Sequence, residues 1–234
     1  MNLIEEAAKL NLEITQSMSE KLEKYSKMML HYNEFMNLTA ITEPEEIKEK
    51  HFLDSITLCL SEKLTQNCTL IDIGAGAGFP SIPVKIVRDD IDLTMLDALN
   101  KRINFLNDVL TNLSIKKARA IHMRAEDAAK KSELREKFDV ATARAVADLA
   151  VLAEYALPFV KVGGYFVAMK GTAPAEEIEG AKKAIREMGG EVEEIKTVTL
   201  PSGINHSLVI IRKVVNTPAK YPRKAGKPEK QPIK

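Results

Sequence analysis

Three glycines at alternate positions carry the clearest chemical signal in this sequence. The segment Leu70-Ile-Asp-Ile-Gly-Ala-Gly-Ala-Gly-Phe-Pro places Gly74, Gly76 and Gly78 between a predicted strand and a predicted helix. Glycine adopts positive φ at little cost and lets a ligand approach the backbone closely. Ligands of open α/β sheets bind at the carboxyl ends of the strands. The segment therefore predicts a ligand-binding turn.

Two neighbours of the glycines indicate which ligand the turn accepts. A phosphate-binding fingerprint requires a third glycine at position 79, where this chain has Phe79. Asp72 precedes the first glycine by two residues. Its carboxylate would repel a pyrophosphate but is favourable beside a sulfonium or ammonium cation. The turn therefore favours a cationic ligand such as S-adenosylmethionine over a dinucleotide.

Polar residues also follow the next two predicted strands. Asp97, after the second strand, is placed to accept hydrogen bonds from a ribose diol, although it could instead cap the helix that begins near Asn100. The ribose interpretation suits S-adenosylmethionine and NAD equally. Arg124-Ala125-Glu126 follows the third strand, where an adenine ring would lie. We therefore expect these residues to line an adenosine site.

The residues at the end of the fourth strand indicate which kind of atom can accept the methyl group. Arg144 stands there, without the Asn/Asp-Pro-Pro-aromatic motif typical of enzymes that methylate exocyclic amines. A cysteine nucleophile for pyrimidine C5 is also absent, since no cysteine follows Cys68. These features favour an acceptor atom with its own lone pair. We expect Arg144 to position the cofactor or the acceptor, and His51 and Asp54 to pair on a helix and brace the cleft.

The elements that must position these residues alternate between strand and helix after residue 67. This order predicts a parallel sheet covered on both faces, and the last two strands, joined by a short loop, must form an antiparallel hairpin. We therefore predict an α/β, Rossmann-like sheet of seven mostly parallel strands with the last strand antiparallel, the class I S-adenosylmethionine-dependent methyltransferase fold. The predicted organisation is an N-terminal helical extension (1–66), the methyltransferase domain (67–215) and a basic tail (216–234). The predicted strands are Thr69–Ile73, Ile91–Leu96, Ala118–His122, Phe138–Ala143, Tyr165–Met169, Val192–Leu200 and Ser207–Val214.

Composition sets the remaining limits. The chain has 234 residues, of which 45% are hydrophobic and 29% charged, as in ordinary globular domains. Two cysteines make neither a disulfide framework nor a metal cluster, and an N-terminal signal peptide or an apolar run of membrane-spanning length is not evident. We predict a cytoplasmic protein with no membrane or metal partner.

The tail differs from the rest of the chain in charge. From Arg212 to Lys234 there are eight basic residues and one acid, whereas the whole chain has a net charge of +1. Such segregation indicates either a polyanionic partner or a solubilising tail. Four prolines and the lysines predict a segment that does not order by itself.

Taken together, these motifs resemble one known family. The chain resembles the bacterial small-subunit (16S) ribosomal RNA guanine-N7 methyltransferases, also called the glucose-inhibited division protein B family. The matching stretches span nearly the whole chain: Asn37-Leu-Thr-Ala-Ile-Thr, His51-Phe-Leu-Asp-Ser, the glycine turn through Phe79-Pro80, Lys101-Arg-Ile-Asn-Phe-Leu, Arg124-Ala-Glu, Thr142-Ala-Arg-Ala-Val-Ala, Met169-Lys-Gly and Tyr221-Pro-Arg-Lys.

The resemblance implies transfer of a methyl group from S-adenosylmethionine to N7 of a guanine in 16S ribosomal RNA, free or within the small subunit or an assembly intermediate. It implies cofactor contacts by Gly74, Phe79, Ala125, Glu126 and Arg144. With the strand-end residues, the expected cofactor set is Asp72, Gly74, Gly76, Gly78, Phe79, Asp97, Ala125, Glu126 and Arg144. The expected RNA contacts are Arg124, Lys170, Arg223, Lys224 and Lys227. The alternatives are a methyltransferase for a small molecule or another RNA, a dinucleotide-dependent oxidoreductase and a binding module without catalysis.

Overall fold

The computed structural model describes residues 1–144, 146–172 and 174–234. Its strands are β1 (Thr69–Ile73), β2 (Asp92–Asp97), β3 (Ala118–His122), β4 (Phe138–Arg144), β5 (Val160–Lys170), β6 (Gly190–Thr199) and β7 (Asn205–Lys213). Its helices are α1 (Leu3–Lys9), α2 (Gln16–Met36), α3 (Pro44–Glu46), α4 (Asp54–Ile56), α5 (Ser81–Val87), α6 (Asn100–Asn112), α7 (Ala125–Ala128), α8 (Leu149–Ala156), α9 (Ala175–Glu187) and α10 (Lys227–Lys230). Among the described residues, no helix is long and apolar enough to span a membrane.

The seven strands form one sheet in the order β3-β2-β1-β4-β5-β7-β6. The pairs β1–β2, β1–β4, β2–β3 and β4–β5 are parallel. β7 lies between β5 and β6 and is antiparallel to both. The predicted fold is therefore confirmed, and the strand order reverses at β1 and β4. Ligands bind at such a switch point, beyond the carboxyl ends of the strands.

Two hydrophobic cores cover the sheet because successive strand residues point to opposite faces. Leu70 belongs to one core and Ile71 to the other. The N-terminal helices supply much of the first core. α2 begins at the cap residue Thr15, whose hydroxyl accepts a hydrogen bond from Met18 N at 3.3 Å, and it ends at Asn37, which has a left-handed backbone. Its buried side chains are Leu22, Tyr25, Met29 and Met36, three to seven residues apart, as an amphipathic helix requires.

The part of the N-terminal helical extension that follows Pro44 has a mixed winding. After α3 comes a π-helical turn at Ile47–Leu53, then α4, then a 3₁₀ turn at Thr57–Ser61. π-Helical turns are rare and occur frequently at functional sites. This one carries His51 and leads directly into Asp54.

The basic tail is docked on the domain, and we call residues 216–234 the C-terminal strap. Arg135 donates hydrogen bonds to Thr217 O at 2.8 Å and Tyr221 O at 2.9 Å. Pro222 and Pro228 are buried. The composition of the strap cannot order it alone, but the domain supplies the contacts that it lacks.

β5 begins at Val160, five residues before the predicted start at Tyr165, because its pairing with β4 extends back to Phe138.

Candidate functional site

The glycine turn lies between β1 and α5, and all three of its glycines have positive φ. The φ angles are 72° at Gly74, 60° at Gly76 and 93° at Gly78. A Cβ on Gly78 would lie 2.6 Å from Ile82 Cγ1, so this position requires glycine for packing. Among the described residues, a Cβ on Gly76 would meet only Gly74 O, at 3.8 Å. Gly76 therefore leaves open space above the backbone, as a ligand-cradling turn does.

Tyr25 of α2 holds the turn from below. Its side chain is fully buried, and its hydroxyl donates a hydrogen bond to Ala77 O. Burial raises its pKa well above 10.0, so the hydroxyl remains a donor. Its ring packs 5.5 Å from that of Phe79, centroid to centroid. From sequence, Tyr25 is only a member of the apolar face of α2, since nothing local indicates a partner 52 residues away.

Asp72 lies behind the turn, completely buried. Its Oδ2 accepts a hydrogen bond from Ser81 Oγ at 2.5 Å, while Oδ1 has no hydrogen-bond partner among the residues that the structure describes. Burial raises the pKa of this carboxyl from 3.8 to about 7. The residue does not line the described cavities beside the turn. A direct contact between this carboxylate and the cofactor stays a prediction, while its visible role is to brace the start of α5.

Asp72 should therefore make the stability of the protein depend on pH. A raised folded-state pKa means that the native state binds the proton more tightly than the unfolded state, so stability falls as pH rises from about 4 to about 7. Asp72→Asn removes this titration. We expect the free energy of unfolding of the variant, relative to wild type, to rise by about 2 to 3 kcal/mol between pH 5 and pH 8.

Urea denaturation at several pH values measures this difference. The matched control is Asp127→Asn, which changes an exposed aspartate. Parallel pH curves for wild type and Asp72→Asn would contradict the assignment.

Two adjoining cavities lie above the turn and share the residues Gly74, Asp97, Ala98 and Val146. The first, about 130 Å³, is lined by the ends of β1, β2 and β3, including Arg124, Ala125 and Glu126. The second, about 410 Å³, is lined by Ala75, Gly76 and Ala77 of the glycine turn and by Thr39, His51, Phe79 and Arg144, whereas Gly78 does not line it. Because they share one wall, we treat them as two halves of a single cleft.

Asp97 stands where the two halves meet and is buried. Its Oδ2 accepts a hydrogen bond from Gly76 N at 2.9 Å, and Oδ1 accepts one from Leu99 N at 2.9 Å. Arg102 lies 3.4 Å from Oδ2. The carboxylate thus joins the glycine turn to α6, and its cavity-facing position suits a ribose.

Arg144 ends β4 and faces the second half of the cleft. Its Nη1 donates to Asp54 Oδ2 at 2.6 Å, and its Nη2 lies 3.4 Å from His51 Nδ1. Its guanidinium lies 4.9 Å from the centroid of the Phe79 ring. The π-helical turn and β4 thus fix the guanidinium from two sides. His51 and Asp54 do not pair with each other as expected, because both face Arg144, and Asp54 Oδ1 lies 3.0 Å from His206 Nδ1.

His51 connects Arg144 to Thr39. Its ring stacks on Phe79, with centroids 4.4 Å apart and an interplanar angle of 18°. Burial, followed by the charge of Arg144, lowers its pKa to about 4, so the imidazole is neutral at pH 7. A guanidinium can only donate, so Nδ1 accepts and Nε2 carries the proton. Nε2 then donates to Thr39 Oγ1 at 2.7 Å.

Thr39 is left with a hydroxyl proton for the cleft. Its Oγ1 accepts from His51 and also from Ile41 N at 3.0 Å. A hydroxyl has two acceptor positions and one donor. With both acceptor positions filled, Thr39 can act toward a ligand only as a donor.

The expected RNA contacts have different surroundings. Lys170 pairs with Glu177 Oε1 at 2.6 Å and is largely buried. Arg223 pairs with Glu154. Arg124, Lys224 and Lys227 are exposed. The three exposed side chains are available to phosphates without breaking an ion pair, whereas contacts by Lys170 and Arg223 stay predictions that would require rearrangement.

The cleft fits S-adenosylmethionine on its own geometry. The open side of Gly76 leaves backbone surface for a ligand, Asp97 suits a ribose, and the first half is lined by apolar groups from Ile73, Leu96 and Met123. No cluster of potential metal ligands occurs within 1–144, 146–172 and 174–234. Ala145, part of the motif after β4, lies outside the described residues.

Comparisons with known proteins identify the family to which this chain belongs. The family model described as GidB, rRNA small subunit methyltransferase G, matches residues 18–207. The ribosomal RNA small subunit methyltransferase G of Alkaliphilus oremlandii is 50% identical over 233 residues, covering 99% of this chain and 98% of the relative. That of Clostridium perfringens strain 13 is 47% identical, covering 95% and 94%.

Solved structures show the same fold at low sequence identity. A SAM-dependent methyltransferase from Aquifex aeolicus has a TM-score of 0.52 at 16% identity and covers 72% of this chain and 93% of its own. TYW2 from P. horikoshii in complex with MeSAdo has a TM-score of 0.55 at 18% identity, with 74% and 64% coverage. At these identities the likeness establishes the architecture alone.

Proposed function

Because the chain belongs to the rRNA small subunit methyltransferase G family, we propose that it methylates N7 of a guanine in 16S ribosomal RNA. It is an S-adenosylmethionine-dependent rRNA methyltransferase. The acceptor atom is N7, and residues of the cleft position it. The RNA substrate is cytoplasmic and is either free or part of the small subunit or of an assembly intermediate.

The observation that carries the acceptor assignment is the state of His51. Its two ring nitrogens are engaged by Arg144 and Thr39, so this imidazole is not free to remove a proton from a substrate. Guanine N7 carries a lone pair and no proton. An acceptor of this kind needs no general base, and the surroundings of His51 favour it.

S-adenosylmethionine, when bound, supplies a methyl group activated by its attachment to a sulfonium. Gly76 and Asp97 would hold this donor in the cleft, and the methyl group would pass to the N7 lone pair with the thioether of S-adenosylhomocysteine as the leaving group. The chain's contribution is to hold acceptor and donor in line. Orientation of this kind is worth roughly 7 to 11 kcal/mol.

Thr39 and Arg144 are suited to hold the guanine. O6, beside N7 on the same edge of the base, is a hydrogen-bond acceptor, and Thr39 offers a hydroxyl proton to the cleft. Arg144 and Phe79 provide a planar cation and an aromatic ring on the wall of the second half. N7 in a paired A-form helix is inaccessible to side chains, so the target guanine must lie in a loop or be flipped out.

Mapping the modified base tests this proposal. Small subunits and naked 16S RNA from cells lacking the modification are incubated with the protein and labelled S-adenosylmethionine, and N7-methylguanine is located by chemical strand scission. We expect one guanine in an unpaired segment to be modified. Label on an exocyclic amine or on a ribose, or turnover of a small molecule without RNA, would overturn the proposal.

The strap's exposed lysines should contribute to RNA binding through phosphate contacts. In the double variant Lys224→Ala/Lys227→Ala, the slope of log binding constant against log salt concentration should become shallower by about 1.4 to 1.8, since each lost contact with single-stranded phosphate or duplex contributes about 0.7 to 0.9. Filter binding with 16S RNA fragments at several salt concentrations measures the slope.

The matched control is Lys182→Ala/Lys183→Ala, which removes two exposed lysines of α9. If both double variants retain the wild-type slope, Lys224 and Lys227 do not contact phosphates.

A further inference from the structure

The C-terminal strap reaches the adenosine half of the cleft. Glu229 of α10 lines the first cavity together with Ala125, Glu126 and Tyr155. We propose that the strap is a structural wall of the cofactor site and that the Glu229 carboxylate accepts a hydrogen bond from the 6-amino group of adenine. The inference rests on the cofactor named in the proposed function and adds a specificity-determining residue to it.

A buried ion pair anchors the strap. Glu154 of α8 is 1% exposed. Its Oε1 accepts from Arg223 N at 2.7 Å and from Arg223 Nε at 2.9 Å, and its Oε2 accepts from Arg223 Nη2 at 2.6 Å. Charge-assisted hydrogen bonds with two donors to one carboxylate are strong and fix direction. Releasing the strap would leave the Glu154 charge buried without a partner, so the docked position is the favoured one.

A second contact joins the strap to the loop after β3. Gly226 N donates to Glu126 Oε1 at 2.8 Å, and Gly226 has a φ of 77°, which turns the chain into α10. Glu126 is 3% exposed. Its carboxylate therefore holds the strap, and the sequence expectation of a cofactor contact by Glu126 is better met by its backbone than by its side chain.

The strap places the Glu229 carboxylate in the first cavity with Tyr155 and Glu126, in a lining that is otherwise largely apolar and that also includes Arg124. Burial is the largest cause that raises the pKa of Tyr155, and the charges of Glu126 and Glu229 raise it further. The phenol thus stays protonated between two carboxylates. An amino group carries two N–H donors and suits a carboxylate wall, whereas a 6-oxo group presents an acceptor that the wall would repel.

The position of this wall matches the end of an adenosine ligand. Asp97, suited to the ribose, lies where the two halves of the cleft meet, and it lines the first cavity with Glu229. If the ribose of a nucleoside lies at Asp97, its base extends into the first cavity, which is the part of the cleft that the strap closes. Glu229 is the acid that the strap contributes to this cavity.

Isothermal titration calorimetry with S-adenosylhomocysteine and S-inosylhomocysteine tests the proposal without RNA. The two probes differ in the 6-substituent, which changes from amino to oxo, and at N1, which changes from a hydrogen-bond acceptor to an N–H donor. We expect wild type to bind the adenosyl compound at least tenfold more tightly, since a site built for a hydrogen-bond donor rejects an analogue without it. In Glu229→Ala the ratio of the two dissociation constants should fall at least fivefold. In Glu229→Gln it should fall as well, because an amide can also donate to a 6-oxo group.

Glu179→Ala, on the outer side of α9, is the matched control and should keep the wild-type ratio. Unchanged discrimination in both Glu229 variants would overturn the role of Glu229. Failure of wild type to bind S-adenosylhomocysteine would overturn the cofactor assignment as well, whereas mapping a different base in the RNA would affect only the proposed acceptor.

Discussion

Replacing Arg144 by alanine should lower the rate of rRNA methylation at least tenfold. The guanidinium is fixed by Asp54 and lies beside His51 and Phe79 at the end of β4, facing the half of the cleft where the acceptor base is proposed to bind. Removal of the guanidinium also leaves His51 Nδ1 without its partner, so the imidazole ring can turn. Thr39 Oγ1 then loses the fixed hydrogen bond that it accepts from His51 Nε2. Loss of alignment of this kind reduces the rate without a change of reaction.

Single-turnover methylation of 16S RNA, with separate titration of each substrate, measures this effect. Arg144→Lys keeps the charge but not the planar fork, and we expect it to recover little of the rate. The Arg144→Ala variant should remain folded, because His206 still lies beside Asp54. We expect its free energy of unfolding to fall by about 1 to 3 kcal/mol.

Arg119→Ala is the matched control, because Arg119 lies on β3 and donates to Thr94 away from the cleft. Near-normal turnover by Arg144→Ala would show that the residue neither positions the acceptor nor orders its neighbours.

Substitution of Gly76 by alanine should weaken the binding of S-adenosylmethionine at least tenfold. Within the described part of the chain, the added Cβ would meet no atom closer than Gly74 O at 3.8 Å, so it would project into the cleft. An alanine at φ 60° also costs about 1 to 2 kcal/mol of backbone strain. The strain lowers stability, whereas the Cβ occupies space that the ligand needs.

Gly203→Ala separates the two effects. Gly203, in the turn between β6 and β7, has a φ of 84°, and no atom of residues 1–144, 146–172 or 174–234 lies within 4 Å of a Cβ position there. Both variants should lose similar amounts of stability in thermal unfolding, but only Gly76→Ala should lose affinity in equilibrium dialysis. If Gly76→Ala and Gly203→Ala bind S-adenosylmethionine with equal affinity, the ligand does not approach the glycine turn.

The sheet was predictable from sequence because its signals are local. The central strands β1, β2, β4, β5 and β7 contain short apolar runs, and the short loop between the last two strands required an antiparallel hairpin. The glycine turn and the strand-end positions of Asp97 and Arg144 follow from the same pattern, because the carboxyl ends of parallel strands converge at one edge.

The contacts that complete the site were not predictable because they join distant residues. Arg223 and Glu154 are 69 positions apart, and Gly226 and Glu126 are 100 apart. Composition described the strap as polar and rich in proline, which holds for the segment alone. It contains no signal for a buried glutamate on another helix that requires a cation. The orientation of Asp54 toward Arg144 was missed for the same reason.

Because of the π-helical turn, the geometry of the active site depends on the number of residues that precede α4. One residue added to or removed from an α-helix rotates all later residues of that helix by about 100°. The turn at Ile47–Leu53 winds more widely than an α-helix, and it presents both His51 and Asp54 to Arg144. Loss of one codon in this stretch would swing Asp54 away from the guanidinium even if every chemical group survived. A deletion of this kind would therefore inactivate the site while leaving the identity of every remaining residue unchanged.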